Sequence, residues 1–172
     1  MLAVIGNLSQ NKTYVHRPIG EVFAAISTAD GWNGWFTSRC RLELRPGGVF
    51  APEWAAFGPD LIDCKESGRV VDVKPPRRLV LQWSPAGVLS PTTIEFNLFE
   101  KFGGTVVEVR DSGYPVHTLQ NQLVFVECAC GWGEALTLLK FFLEHGIQYR
   151  QPLIDWIIDQ QSNPSKPLLS GQ

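Results

Sequence analysis

No run of Lys or Arg stands out in this chain, and its formal net charge is only −2. Nucleic-acid binders usually advertise a basic face, so that class of partner is not expected. No apolar run approaches the roughly 18 residues that a membrane span needs. The opening Met1-Leu-Ala-Val-Ile-Gly6 is short and has no cationic lead, unlike a signal peptide. Cysteine is sparse: Cys40, Cys64, Cys128 and Cys130. With no leader in view, these suit free thiols in a reducing, cytoplasmic setting. Chemistry-bearing motifs are missing too, with no Gly-x-Ser-x-Gly elbow, no Walker loop and no dinucleotide fingerprint. Neither an internal repeat nor a domain-splitting linker is visible.

What is present suits one globular domain. The 172 residues are 44% apolar and 19% charged, enough to bury a sizeable core. Ten Phe, six Trp and three Tyr exceed what a minimal core requires. Such a surplus serves a lined cavity as well as a packed interior.

The clearest local pattern lies between Glu66 and Trp83. Val71 and Val73 alternate with Asp72 and Lys74, Pro75-Pro76 turns the chain, and Leu79, Leu81 and Trp83 follow at every second position. Alternation is the period of a strand with one buried face, so this predicts a β-hairpin against a core. Residues 12–16 predict a first strand ending at Pro18. Ile19, Val22, Phe23 and Ile26 then recur at helical spacing, and Asp30–Phe36 suits a second, short helical turn. Residues 41–45 predict a strand, Pro46-Gly47-Gly48 a hairpin turn, and Val49–Trp54 the returning strand. Residues 57–65 read as a loop. Thr93–Glu100 and the stretch from Thr105 to Val109 alternate around Gly103-Gly104. Hairpin connections of this kind build an antiparallel sheet. From Trp132 the period changes: Ala135, Leu136, Leu139, Phe142 and Leu143 mark an amphipathic helix of about 15 residues, closed by Gly146. We take residues 1–150 as one domain and 151–172 as an extension. Its apolar patch around Trp156 gives way to a polar end of about ten disordered residues.

These pieces, taken in order, resemble the START/Bet v 1-like (SRPBCC) superfamily, and within it the activator of Hsp90 ATPase homologue 1-like branch. The resemblance rests on Pro18-x-x-x-Val-Phe-x-Ala-Ile, Trp35-Phe36, Arg45-Pro-Gly-Gly-Val-Phe and the Gly68–Trp83 hairpin. Gly103-Gly104-Thr-x-Val, Ser112-Gly113-Tyr114 and Gly131-Trp132-x-x-x-Leu complete it. It implies an α+β helix-grip fold: a curved antiparallel sheet wrapped on a long C-terminal helix, two short N-terminal helices, and an internal cavity for hydrophobic ligands. Carried onto this chain, the cavity wall draws on Trp35, Phe36, Phe50, Trp54, Trp83, Phe96, Trp132, Leu136 and Leu139. Core packing accounts for each of these residues as well. The Hsp90 co-chaperone carries a separate chaperone-binding domain that has no counterpart here, so Hsp90 is not implied as a partner. The stretch Leu123–Cys130 is more apolar and richer in thiols than this branch usually shows before its Gly-Trp helix.

Few residues suggest chemistry. His117 follows Tyr114-Pro115 near the implied cavity mouth and is the candidate general base or polar contact; a lone loop His is equally a surface residue. Cys128-x-Cys130 is spaced too closely for structural zinc, and on a helix the two thiols diverge by about 200°. No metal or cofactor is therefore expected. Three functions stay open. The first is binding of a small hydrophobic molecule without catalysis. The second is a cyclase-, aromatase- or hydrolase-like enzyme acting on such a molecule. The third is an interaction protein with a collapsed cavity, for which a homodimer is one form.

Overall fold

A computed structural model describes residues 7–58, 60–84, 90–115, 117–148, 158–159 and 161–162. Of the apolar patch Leu153, Ile154, Trp156, Ile157 and Ile158 that the sequence picks out, all but the exposed Ile158 lies outside the described residues.

The chain begins with β1 (Leu8–Val15) and then forms α1 (Ile19–Ser27) and α2 (Ala29–Trp35). Seven strands follow: β2 (Arg39–Leu42), β3 (Val49–Phe57), β4 (Ile62–Lys65), β5 (Gly68–Lys74), β6 (Arg78–Trp83), β7 (Thr92–Lys101) and β8 (Gly104–Ser112). Helix α3 (Leu119–His145) follows β8. All strand pairs are antiparallel, in the order β1-β8-β7-β6-β5-β3-β2, with β4 paired to β3 beyond β5. Because residues two apart share a face, Leu79, Leu81 and Trp83 line up with Ile94, Phe96, Leu98, Val107 and Val109 on the concave side. Helix α3 covers that side with Trp132, Ala135, Leu136, Leu138 and Leu139. This is the helix-grip architecture.

The two short helices are fastened to each other and to the core. The Trp32 and Trp35 indole N–H groups donate to the Ile26 and Ala25 carbonyls at 2.7 and 3.0 Å, satisfying oxygens at the end of α1. Helix α2 approaches so closely that a Cβ on Gly31 would sit 2.4 Å from the Ala25 carbonyl oxygen. Thr28 caps α2 by accepting from the Gly31 amide at 3.0 Å. At the far end of α3, Gly146 closes the helix at φ 67° as expected. Arg17 donates to the Leu143 and Glu144 carbonyls there, placing a cation at the negative end of the helix.

Five local expectations need correction. The loop predicted at 57–65 contains β4, too short to show a period. The predicted strand at 41–45 lies instead at Arg39–Leu42, and the first strand begins at Leu8, four residues before the predicted start at Lys12. A bulge between Val70 and Asp72 turns Val70 into the core and leaves Val71 exposed, because one extra residue reverses the alternation. Helix α3 spans 27 residues and starts at Leu119, well before Trp132. Its first half carries apolar residues on both faces: Val124 and Phe125 are buried, Leu119, Leu123 and Val126 exposed. Helical periodicity is lost when the outer face is also apolar. By length and composition α3 would suffice to cross a bilayer, but its inner face is built into the core of this domain.

Candidate functional site: an aromatic interior with a polar end

The rings gathered between α3 and the sheet form one connected set. Phe36, Trp54, Trp83 and Trp132 make a closed circuit, with successive ring centroids 5.3, 6.1, 6.1 and 6.4 Å apart. Phe50 lies 6.4 Å from Trp83, and Phe96 lies 5.6 Å from Trp132. Trp35 stacks on Phe36 at 5.0 Å. At these separations the rings are in contact, and they occupy the region where the resemblance implies a cavity. Trp32, fully buried, bridges Phe50 and Phe96 at 5.1 and 6.0 Å. The sequence reading did not single it out, although Trp32 and Trp35 sit at i and i+3 on one short helix. Leu136 and Leu139 complete the helix side. His117 does not join this set: it is exposed in the bend before α3.

One end of this interior is polar. It lies where β6 ends, β7 begins and β8 ends, beneath the first half of α3. Asp111, on the concave face of β8, is wholly buried. Its Oδ2 accepts from the Tyr114 hydroxyl at 2.6 Å and from Trp132 Nε1 at 2.9 Å. Burial pushes the Asp111 carboxyl above the usual range, and those two hydrogen bonds offset only part of the shift. Burial, reinforced by the neighbouring carboxylate, also raises the Tyr114 hydroxyl. The Cys128 thiol is pushed up to about 11, chiefly by burial, so it is inert as a nucleophile at neutral pH. Cys130 points away and is exposed. No cluster of three or more His, Cys, Asp or Glu suited to a metal occurs among the described residues.

A pocket of about 260 Å³ opens beside Gly68, Arg69, Gln82 and Pro91, and of the interior rings Trp83 alone lines it. A larger pocket, about 440 Å³, sits against Pro18, Phe102 and Gly104 and has none of the interior rings in its wall. Asp111 could not be picked from the sequence as a buried group. A carboxylate near a strand end ordinarily faces water.

Fold and interior together define a helix-grip α+β domain of the START/Bet v 1-like class. The family described as activator of Hsp90 ATPase homolog 1-like protein matches residues 16–144, and the chain belongs to that family. Among solved structures it is similar to DynU16, a protein of the dynemicin biosynthetic locus, with 20% identity and a TM-score of 0.69. That match covers 83% of this chain and 49% of the other, so the chain spans about half the length of DynU16. CalU16 from Micromonospora echinospora is similar over 93% of this chain and 96% of its own, at 23% identity and a TM-score of 0.63. The Aha1 dimer from Colwellia psychrerythraea follows at 19% identity and a TM-score of 0.65, over 81% of this chain and 97% of that one. At these identities the likeness is one of fold. No curated protein matches.

Proposed function

We propose that this domain binds a small hydrophobic molecule between α3 and the concave face of the sheet. The observation that carries this reading is the aromatic circuit Phe36–Trp54–Trp83–Trp132, four large rings gathered between α3 and the sheet. A ligand would part the rings by rotamer changes and replace ring–ring contact with its own apolar surface. Each Å² so buried contributes about 25 cal/mol. A cytoplasmic setting fits the four unpaired thiols. For the catalytic alternative, His117 is poorly placed because it faces solvent, and Asp111 is the carboxyl the interior offers.

Native mass spectrometry of freshly purified protein, followed by solvent extraction, tests the reading. A discrete retained mass, or uptake of the neutral probe N-phenylnaphthylamine that Trp83→Ala and Trp132→Ala abolish, is expected. A bare chain that takes up no probe would sink it.

A second reading rests on a separate observation. Leu119, Leu123, Val126 and Cys130 recur along the outer face of α3 at alternating steps of four, three and four, and all are exposed. A continuous apolar stripe at that spacing suits helix-to-helix docking. A second copy of this chain, packed α3 to α3, is the partner that stripe favours, and one similar protein is itself a dimer.

A further inference from the structure

Three buried side-chain atoms at the polar end make no hydrogen bond: Trp83 Nε1, Thr92 Oγ1 and Asp111 Oδ1. Buried polar atoms are nearly always paired, so three orphans in one place call for a common cause. They are neighbours by construction. Trp83 and Thr92 are directly opposed on β6 and β7. Asp111 opposes Ile94, two residues along β7 from Thr92 and on the same concave face. Trp132 closes the group from above, with its ring 6.1 Å from Trp83 and its N–H on Asp111. The Thr92 hydroxyl is close enough to Asp111 to favour its ionised form, yet falls short of hydrogen-bond geometry.

The known hydrogen bonds decide what is left over. Tyr114 and Trp132 both engage Asp111 Oδ2, which fixes the carboxyl and leaves Oδ1 as an acceptor. Trp83 Nε1 is a donor only, and the Thr92 hydroxyl is either. A ketone would satisfy Trp83 and face Asp111 with a second acceptor. A carboxylate would bring a second negative charge into an apolar enclosure. An amine would satisfy Asp111 and oppose Trp83. Unlike these three, a neutral hydroxyl can donate to Asp111 and accept from Trp83 at once.

Accepting the binding function above, we infer that Trp83, Thr92 and Asp111 anchor the hydroxyl group of a neutral aromatic or alicyclic alcohol, the ring system lying among the interior aromatics. The anchor sets specificity and orientation, while the rings supply the apolar contact.

Isothermal titration with naphthol, naphthalene and naphthoate tests this. Sites built around a hydroxyl discriminate strongly against analogues that lack it. The wild type is expected to bind naphthol about tenfold or more tighter than naphthalene, and naphthoate weakest. Thr92→Val keeps shape and should erase much of the preference for naphthol over naphthalene, and Trp83→Phe, which removes the indole donor, should narrow that affinity ratio whatever it does to either affinity alone. Asp111→Asn should weaken naphthol binding and relieve the exclusion of naphthoate, with a melting curve confirming that each variant is folded. Equal binding of naphthol and naphthalene by the wild type would overturn the anchor, the orphaned atoms then holding only water, and would leave the hydrophobic site standing. Binding of none of the three probes would overturn the hydrophobic site, and the anchor with it.

Discussion

Trp132 is tied to Asp111 from inside the protein: its indole N–H donates to Asp111 Oδ2 at 2.9 Å, joining the middle of α3 to the last residues of β8. The bond crosses the gap between the helix and sheet layers, and Tyr114 donates to the same oxygen at 2.6 Å. Position and chemistry are thereby linked, because the contact that seats the helix also orients the buried carboxyl.

Removing that carboxyl should be costly. Asp111→Ala strands the Tyr114 hydroxyl and the Trp132 N–H without partners, and each stranded group costs roughly 1–3 kcal/mol. Relief of the carboxylate's desolvation returns part of this, so a net loss of about 2–4 kcal/mol is expected in urea unfolding. Asp111→Asn retains an acceptor oxygen and should lose less. An alanine variant as stable as the asparagine variant would contradict the hydrogen-bond account.

The same residue sets a pH dependence. Burial raises the Asp111 carboxyl above the usual carboxylate range, opposed in part by Tyr114 and Trp132. The folded state therefore holds this proton more tightly than the unfolded state. Its contribution is fully present below the unfolded value and is lost as pH rises through the raised native value. Subtracting the Asp111→Asn curve isolates it, and the wild type should lose ground to that variant as pH climbs above the usual carboxylate range. A pH-independent difference would show that Asp111 titrates as it does in the unfolded chain.

Glu108 should behave oppositely. On the outer face of β8 it pairs with Lys12 at 2.8 Å and Arg110 at 2.9 Å, and the Lys12 contact leads in holding its carboxyl below the usual range. Its contribution is present above its unfolded value and is lost as pH falls through the depressed native one. Glu108→Gln should flatten the acid limb of the stability profile, and an unchanged limb would count against the pairing.

Glycines around α2 and α3 should respond in opposite directions. Gly133 lies inside α3 with nothing within 4 Å of a would-be Cβ. Gly133→Ala should stabilise by about 0.5–1 kcal/mol, through helix propensity and a less free unfolded chain. A Cβ at Gly31 would meet the Ala25 carbonyl oxygen at 2.4 Å, a backbone atom that cannot swing aside. Gly31→Ala should cost about 1–3 kcal/mol. Thermal melts of both variants check the pair.

Self-association should depend on the outer stripe of α3. Leu123→Glu and Val126→Glu place charges at exposed positions away from the core, so folding should persist while any dimer seen by analytical ultracentrifugation dissociates. A dimer indifferent to both changes would place the interface elsewhere.

Local order in this chain was legible where one period governed one segment. The alternation of Leu79, Leu81 and Trp83, the helical spacing from Ile19 to Ile26, and the closing Gly146 all appear as read. Reading failed where a segment mixed two demands. The first half of α3 has an apolar inside and an apolar outside, so its period vanished, although Thr118 caps it by accepting from the Asn121 amide at 3.2 Å. The Val70–Asp72 bulge left no mark in the pattern of residue types.

Hydrophobic periodicity, turn residues and family motifs thus determined the helix-grip architecture, because those signals are local and every strand but β1 pairs with a sequence neighbour. The polar end of the interior was decided only by tertiary structure. Asp111 and Trp132 stand 21 residues apart, and Trp83 and Thr92 meet across two strands. Burial of a carboxylate depends on what is laid over it, and here that is α3, folded back across the sheet to shut Asp111 away from water.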